Sequence, residues 1–347
     1  MSLLQSLPFK EYQKAKLLSL EQCEMVARFA NLEISFKSTE NPGELLLKAL
    51  DRRGYNIKQY SYFLTPLLRF KPKSKIAILI ANDRYIHLCK LATPSTDCDS
   101  LGVSLKNLGF IVVNIRNTSG QELKVLLNRI CDLVPEDSYC FVFYAGHGCQ
   151  ICNTKCMLSV DCPTENIEIT HCITENYLLK ELEKCKLELC VLIMDMCRVP
   201  LDRETNPKIY ESMMSVEDYV IYKNLVIGYA TQSSQSAYEV LQIECSTTIA
   251  TDVTYQLRTR DLDKIVPEAS QYVNALCVRL EDGLDVNRML DKVHADVEKS
   301  IKKQRPIKLQ CGADTRYLND PVIDDTSELF NKLKEATKEF KERCILY

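Results

Sequence analysis

The sequence predicts an α/β fold with a mostly parallel sheet that is covered by helices on both faces. Short, fully apolar runs of strand length recur along the chain, and segments with helical spacing of apolar residues lie between them. Continuous apolar runs are typical of strands buried on both faces, and repeated strand–helix units imply parallel pairing. The length of 347 residues favours about two domains.

A helical segment precedes the α/β part, because the first 70 residues contain no strand-like alternation. A helix start is predicted at residues 41–44, where the letters NPGE place Asn at the N-cap and Pro at the first helical position. Gly54 is suited to end that helix. A short helix is expected to begin near Asn56, and residues 71–74 are expected to form a linker.

From Lys75 onward, strands and helices are expected to alternate. The predicted strands are Ile76–Ile80, Phe110–Ile115, Tyr139–Tyr144, Cys190–Met194 and Leu225–Ala230. The predicted helices are Asp99–Leu108, one opened by the capping box Ser119-x-x-Glu122, Glu175–Cys185 and Thr326–Phe340. The last of these is amphipathic and is expected to pack on the preceding domain, with partner binding as the alternative.

Composition argues against several classes of function. The net charge is −3 and no long basic run is present, so dedicated nucleic-acid binding is not expected. No apolar stretch approaches the roughly 18–20 residues of a membrane span. The first ten residues lack the basic and apolar regions of a secretory signal. The 17 cysteines are scattered, which is unlike a secreted disulfide scaffold and favours a cytoplasmic protein with reduced thiols.

Two of the predicted strands lead into chemically reactive residues. Tyr139–Tyr144 is followed by His147, and Cys190–Met194 is followed by Cys197. Because ligands bind beyond the carboxyl ends of such strands, the two side chains are expected at one edge of the sheet. A cysteine nucleophile requires a nearby imidazole. The backbone N–H groups of Gly148 and Cys197 are candidates for an oxyanion hole.

The motifs around these residues resemble those of a known family. The letters YAGHG at 144–148 and DMCR at 195–198 are similar to the His and Cys motifs of caspase-like peptidases. The resemblance is to paracaspases of the mucosa-associated lymphoid tissue lymphoma translocation type, and it extends from KIAILIANDRY at 75–85 through GYAT and SAYE to LNDP at 318–321. It implies a caspase-like three-layer sandwich with a mostly parallel, six-stranded sheet, preceded by a small helical, death-domain-like segment.

The resemblance also implies an arginine-directed cysteine endopeptidase with a Cys–His dyad. His147 matches the general base and acid of the family, and Cys197 matches the nucleophile. Asp97, Asp195 and Glu239 match the acidic residues of the pocket for the arginine before the scissile bond. Carboxylates suit that role because a guanidinium is always charged and donates several hydrogen bonds.

The expected organisation and partners follow from the same resemblance. The expected parts are a partial death-domain-like segment at 1–70, a linker at 71–74, a peptidase domain at 75–322 and a C-terminal amphipathic helix at 323–347. Expected partners are substrate proteins with arginine before the cut, adaptor or death-domain proteins of immune, NF-κB-type signalling, and a second copy on activation. Val273–Leu276 is the expected contributor to the edge strand that pairs the two copies. Neither a nucleic-acid or membrane partner nor a cofactor is expected.

Alternatives remain open at this point. The chain is alternatively a protease-inactive adaptor that uses the caspase-like fold for assembly. Asp97 is alternatively a helix N-cap, and Asp195 and Glu239 are alternatively surface or ion-pair acids. Cys149-x-x-Cys152 has the spacing of zinc ligands, but the other members of its cluster (Cys156, Cys162, His171 and Cys172) provide no second pair with firm spacing, so no metal site is predicted.

Overall fold

The computed structural model describes residues 2–7, 12–13, 15–36, 40–56, 60, 70–151, 154–196, 199–214, 223–231, 269–300, 304–312, 315–323 and 325–347. Its contacts divide the chain into two units, Met1–Phe70 and Lys71–Tyr347. In the described part of the chain, no helix combines the length and the apolar character that crossing a membrane requires.

The first unit is helical where it is described. Its helices are α1 (Leu3–Ser6), α2 (Leu20–Phe29) and α3 (Pro42–Arg52). The start of α3 is as predicted, because the Asn41 side chain accepts a hydrogen bond from the backbone N–H of Glu44 at 3.1 Å and Pro42 occupies the first turn. Gly54 follows the helix with a φ of 79°, a backbone conformation that favours glycine. Most of the helix predicted near Asn56 falls outside the described residues.

The second unit is built on a sheet with seven strands among the described residues. They are β1 (Lys75–Ala81), β2 (Ile111–Arg116), β3 (Tyr139–Ala145), β7 (Leu189–Asp195), β9 (Leu225–Tyr229), β10 (Ile307–Cys311) and β11 (Cys344–Leu346). Their order is β10-β9-β7-β3-β1-β2-β11. The inner pairings are parallel and the two outer ones are antiparallel. The sequence predicts six strands, one fewer than the structure has among its described residues. Strand β11 is not predicted, because it has only three residues and contains no long apolar run.

Helices cover both faces of this sheet, as the sequence predicts. They are α4 (Pro94–Asn107), α5 (Gly120–Cys131), α6 (Glu175–Glu183), α7 (Pro207–Met214), α8 (Gln271–Leu280), α9 (Val286–Ser300) and α10 (Ser327–Thr337). Leu329 and Leu333 of α10 are buried in one core with residues of α5, α6 and the sheet. The C-terminal helix therefore packs on the domain. On the other face, α8 and α9 lie against the sheet at Gly228. The side chains of Tyr272 from α8 and His294 from α9 are close to this glycine.

Three elements differ from the sequence prediction. The C-terminal segment 323–347 is not helical throughout, because α10 spans Ser327–Thr337 and Cys344–Leu346 forms strand β11. Helix α4 begins at Pro94 instead of Asp99, because proline is well suited to the first turn of a helix. The expected edge strand at Val273–Leu276 is wrong, since these residues belong to α8. Ser270 caps this helix, and its buried residues recur at helical spacing. The edge strand beside β9 is β10 instead.

A second, smaller sheet follows the carboxyl ends of β3 and β7. Its strands are β4 (Gly148–Ile151), β5 (Thr154–Leu158), β6 (Cys172–Thr174) and β8 (Val199–Pro200), in the order β6-β5-β4-β8. Strand β4 begins directly after His147, and β8 begins shortly after the Cys motif. The two strands pair in parallel, so the chain segments that leave the large sheet after β3 and β7 meet again here.

Candidate active site

The backbone of His147 is held from both sides by tyrosine hydroxyls. The N–H of His147 donates to the Tyr85 hydroxyl at 2.7 Å, and the Tyr144 hydroxyl lies 2.6 Å from the His147 carbonyl oxygen. Both hydroxyls also lie within hydrogen-bond distance of the Leu158 carbonyl. Burial raises the pKa of Tyr85 and of Tyr144, so both remain neutral phenols. The position of His147 is therefore fixed by its own strand end and by the loop after β1.

Gly146 is required by the same contacts. A Cβ added at Gly146 would lie 2.7 Å from the hydroxyls of Tyr85 and Tyr144, closer than real Cβ atoms come to such neighbours. Any larger residue would therefore push the hydroxyls that hold His147 out of place. Gly148, the candidate oxyanion residue, is the first residue of β4 and pairs with Met157 of β5.

The ring of His147 is oriented by a backbone group that the sequence does not reveal. Its Nε2 lies 2.7 Å from the carbonyl oxygen of Cys89, and the ring packs on Tyr85 with 4.5 Å between centroids. A carbonyl oxygen only accepts, so Nε2 carries the proton and donates it. Nδ1 then carries the lone pair. Any residue at position 89 offers the same carbonyl, which is why no motif marks it.

The predicted nucleophile Cys197, its neighbour Arg198 and the predicted acid Glu239 lie outside the described residues. The segments on either side of the Cys motif are described. Strands β3 and β7 pair up to Ala145 opposite Asp195, and β4 and β8 resume pairing at Cys149 opposite Val199. In both pairings, the two partner residues are the same number of positions apart along the chain. The described residues that flank His147 and the Cys motif therefore pair in one common register.

Two of the three predicted acids lie close together. Asp97 is in the first turn of α4 and Asp195 ends β7, and both accept hydrogen bonds from Ser270. The N–H of Ser270 donates to Asp97 Oδ1 at 2.6 Å, and its hydroxyl donates to Asp195 Oδ2 at 3.0 Å. Burial, together with the charge of Asp195, raises the pKa of Asp97 to about 8. Thr93 is the N-cap of α4, so the alternative of Asp97 as the cap is wrong.

Ser270 is a site residue that the sequence analysis missed. It is the N-cap of α8, and its hydroxyl accepts a hydrogen bond from the Val273 N–H at 3.2 Å. A serine before apolar residues at helical spacing is a signal for a helix start. Nothing in the sequence connects that signal with Asp97, which is 173 residues away along the chain.

The cysteines after the His motif pack in a core beneath the small sheet. Cys149, Cys156, Cys162 and Cys172 are buried, free thiols in one apolar cluster. Contacts with the thiols of Cys149 and Cys172, together with burial, raise the pKa of Cys156. Among the residues that the structure describes, no group of three or more His, Cys, Asp or Glu side chains is arranged to hold a metal ion. Cys152 is outside that set.

Comparisons with known proteins place the chain in a family. Residues 74–316 match the model of the caspase domain, peptidase family C14. The chain is 29% identical over 168 residues to the human mucosa-associated lymphoid tissue lymphoma translocation protein 1, and equally to its mouse homolog. That match covers 48% of this chain but only 20% and 19% of the two relatives.

Two solved structures of low sequence identity align with this chain. Caspase-1 from Spodoptera frugiperda aligns with a TM-score of 0.49 at 14% identity, covering 74% of this chain and 93% of that one. A protein from Geobacter sulfurreducens aligns with a TM-score of 0.49 at 11% identity, covering 72% of this chain and 100% of that one.

The match to the caspase domain spans most of the chain and contains both reactive motifs. The resemblance to paracaspases that the motifs predict is confirmed by the human and mouse relatives. The chain therefore belongs to the caspase-domain family of cysteine peptidases and is of the paracaspase type.

Proposed function

We propose that this protein is an arginine-directed cysteine endopeptidase in which Cys197 is the nucleophile and His147 is the general base and acid. The strand pairing around these two residues carries the proposal. The segments before and after His147 pair with the segments before and after Cys197, and the register is the same in both pairings. This supports a single site for both side chains. A thiol beside an imidazole provides the groups that nucleophilic catalysis at a peptide carbonyl needs.

The protonation of His147 supports this role. Because Nε2–H is donated to the Cys89 carbonyl, the lone pair on Nδ1 is the base that takes the proton of the Cys197 thiol. The thiolate attacks the carbonyl carbon of the scissile bond, and the N–H groups of Gly148 and Cys197 stabilise the oxyanion. The imidazolium then protonates the leaving amine. Water hydrolyses the thioester, which restores the thiol and the neutral imidazole.

The acidic pair supports arginine as the residue before the cut. Asp97 and Asp195 share one hydrogen-bonding partner, and by resemblance Glu239 is the third acid of this pocket. Like charges at short distance raise one another's pKa, and a guanidinium that enters between them relieves this cost. Arginine also donates in a planar fork, which a lysine ammonium cannot do.

The wider role is proposed from the resemblance to paracaspases. We assign the protease to a cytoplasmic signalling scaffold of an immune, NF-κB type, with adaptor or death-domain proteins as partners of residues 1–70. Activation by pairing of two copies is proposed to use an edge strand of the sheet. Strand β10 (Ile307–Cys311), which is only partly buried, is the candidate edge.

The test uses the full chain and a short fluorogenic peptide that ends in arginine, with and without a kosmotropic salt that promotes association. Cys197→Ala and His147→Ala should each remove cleavage, and their losses should not add, because nucleophile and base act as one unit. An arginyl fluoromethyl ketone should label Cys197. The control is Cys344→Ala, which removes a free thiol of β11 at the opposite edge of the sheet from β10 and should retain activity and labelling.

Two outcomes would overturn the proposal. Labelling of another thiol, with activity retained in Cys197→Ala, would remove the nucleophile assignment. A folded chain that cleaves no peptide under associating conditions would favour the protease-inactive adaptor. A peptide library that varies only the residue before the cut tests the specificity separately, and indifference between arginine and alanine would exclude the acidic pocket.

A further inference from the structure

Ser270 occupies the space between the two acids of the candidate pocket. Its N–H and its hydroxyl are directed at different carboxylates, with 2.6 Å to Asp97 Oδ1 and 3.0 Å to Asp195 Oδ2. The acids come from α4 and β7, so Ser270 is the residue that connects these two elements at this point. Two donors aimed at two carboxylates reproduce, on one residue, the pattern that a guanidinium would present.

This arrangement closes the pocket at Asp97. Asp97 is 1% exposed and Ser270 is 6% exposed. Thr93 supplies a further hydrogen bond to Asp97. Asp195 is only partly buried, so a ligand meets Asp195 first. A guanidinium that is to lie between the carboxylates needs the space that Ser270 fills, and with Ser270 in place it cannot reach Asp97.

We propose that Ser270 is an internal substitute for the substrate's arginine, and that arginine binds by displacing Ser270 from Asp97 and Asp195. The inference rests on the proposed arginine-directed function and adds the residue against which arginine competes. In the exchange, two guanidinium N–H groups replace the hydroxyl and N–H of Ser270 as donors. Charge-assisted hydrogen bonds are stronger than neutral ones, which favours the exchange. An uncharged ligand gains nothing comparable and does not displace Ser270, so the competition acts on arginine binding and not on the binding of an uncharged ligand.

The displacement has a consequence for α8. The hydroxyl that donates to Asp195 also accepts the Val273 N–H, so it is part of the cap of this helix. Helix α8 packs against α9, where the Tyr272 hydroxyl lies 3.1 Å from His294 Nε2. When arginine binds, the first turn of α8 loses its cap. Binding of arginine in the pocket is thereby coupled to the packing of α8 against α9.

The first experiment measures binding of a peptide that ends in arginine, and of its citrulline counterpart, to the full chain carrying Cys197→Ala, so that the peptide is not consumed. Ser270→Ala removes the competing hydroxyl and should lower the dissociation constant of the arginine peptide about tenfold, the scale of one net hydrogen bond. The citrulline peptide should change by less than about twofold. Ser270→Gly, which weakens the helix cap less than alanine does, should behave in the same way. Ser119→Ala is the matched control, because Ser119 caps a different helix, α5, in a capping box with Glu122.

The second experiment measures hydrogen exchange at the N–H groups of Val273 and Asn274. In the Cys197→Ala chain, the arginine peptide should accelerate exchange there, because the cap is released. Slower exchange on binding, together with unchanged or weaker binding in both Ser270 variants, would show that Ser270 supports the acids instead of competing for them, and would overturn the inference while leaving the arginine pocket intact. Failure of every chain to bind the arginine peptide in preference to the citrulline one would overturn the proposed function itself.

Discussion

The two halves of the candidate site differ in how well the partners of their polar groups suit them. Around His147, the N–H, the carbonyl and the ring Nε2 each have a partner that suits them, from Tyr85, Tyr144 and Cys89. Around Asp97, a carboxyl group faces a second carboxyl group, and a neutral serine connects them. The first half is arranged for chemistry before substrate arrives. The second half carries an electrostatic cost that a cationic ligand can relieve.

A third buried carboxylate of the same domain makes the contrast clearer. Glu175 is fully buried, and Lys155 Nζ lies 3.0 Å from its Oε2 while the Tyr229 hydroxyl donates to its Oε1. This carboxylate has a cation from the chain itself, as buried charges usually do. Asp97 is almost equally buried, but its charged neighbour is Asp195. The chain supplies a cation where the role is structural, and we infer that the substrate supplies it at Asp97.

The largest effect is expected from Asp97→Asn, which should change activity and stability in opposite directions. Cleavage after arginine should fall about a hundredfold, because a charge-assisted hydrogen bond is lost. Stability should rise at pH 8, by up to about 5 kcal/mol, since each unit of difference in pKa corresponds to about 1.4 kcal/mol. The pKa of Asp97 is about 8 in the folded chain, above its ordinary value near 4. The folded state therefore keeps a proton that the unfolded state loses, and stability falls as pH rises between these values. Peptide kinetics and urea unfolding at pH 8 measure the two effects.

The control for this variant lies two residues further along the same helix. Asp99 is exposed and pairs with Arg116, and exposed ion pairs contribute little to stability. Asp99→Asn should leave cleavage unchanged and shift stability by less than about 1 kcal/mol. Equal losses of activity in the two variants would mean that Asp97 has no special relation to substrate. Labelling of Cys197 by iodoacetamide should continue in both.

The His147 half is tested by Tyr85→Phe, which removes the acceptor of the His147 N–H and keeps the contact between the two rings. We expect kcat to fall about tenfold, since a small displacement of a catalytic group is costly, while the preference for arginine over lysine remains unchanged. Gly146→Ala, which forces the same hydroxyls away, should reproduce this pattern. Kinetics with paired arginine and lysine peptides measure both quantities. A change in preference without a change in kcat would contradict the separation of the two halves.

The sequence predicts the buried part of the fold well, for a physical reason. Strands such as β1 and β7 are covered on both faces, so their sequences are continuous apolar runs that need no knowledge of their neighbours. Capping signals such as Ser119 with Glu122 are equally local. Motifs identify His147, Asp97 and Asp195. The structure places His147 and Asp195 at the carboxyl ends of β3 and β7, and Asp97 in the first turn of α4.

What the sequence does not predict depends on contacts between distant segments. The small sheet contains the polar residues Gln150 and Lys155, which no apolar run would include, and it forms because β4 and β8 are brought together by β3 and β7. The assignment of Val273–Leu276 to an edge strand failed because a short apolar run is ambiguous between strand and helix. Ser270 and the Cys89 carbonyl are defined only by what the fold places beside them.

The smallest expected effect is a pH dependence that belongs to the acidic half alone. Because burial and Asp195 raise the pKa of Asp97 to about 8, arginine binding at pH 7 must release the proton of Asp97. The dissociation constant of an arginine peptide from the Cys197→Ala chain should therefore fall about fivefold between pH 7 and pH 8. Arginine keeps its charge throughout this range, so the change reports the protein. Asp97→Asn should remove the dependence, and Tyr85→Phe should retain it, because Tyr85 contacts His147 and not the acids. Calorimetric titration at the two pH values measures the effect. A dependence that persists in Asp97→Asn would place the titrating group elsewhere and would remove the link between the raised pKa of Asp97 and arginine binding.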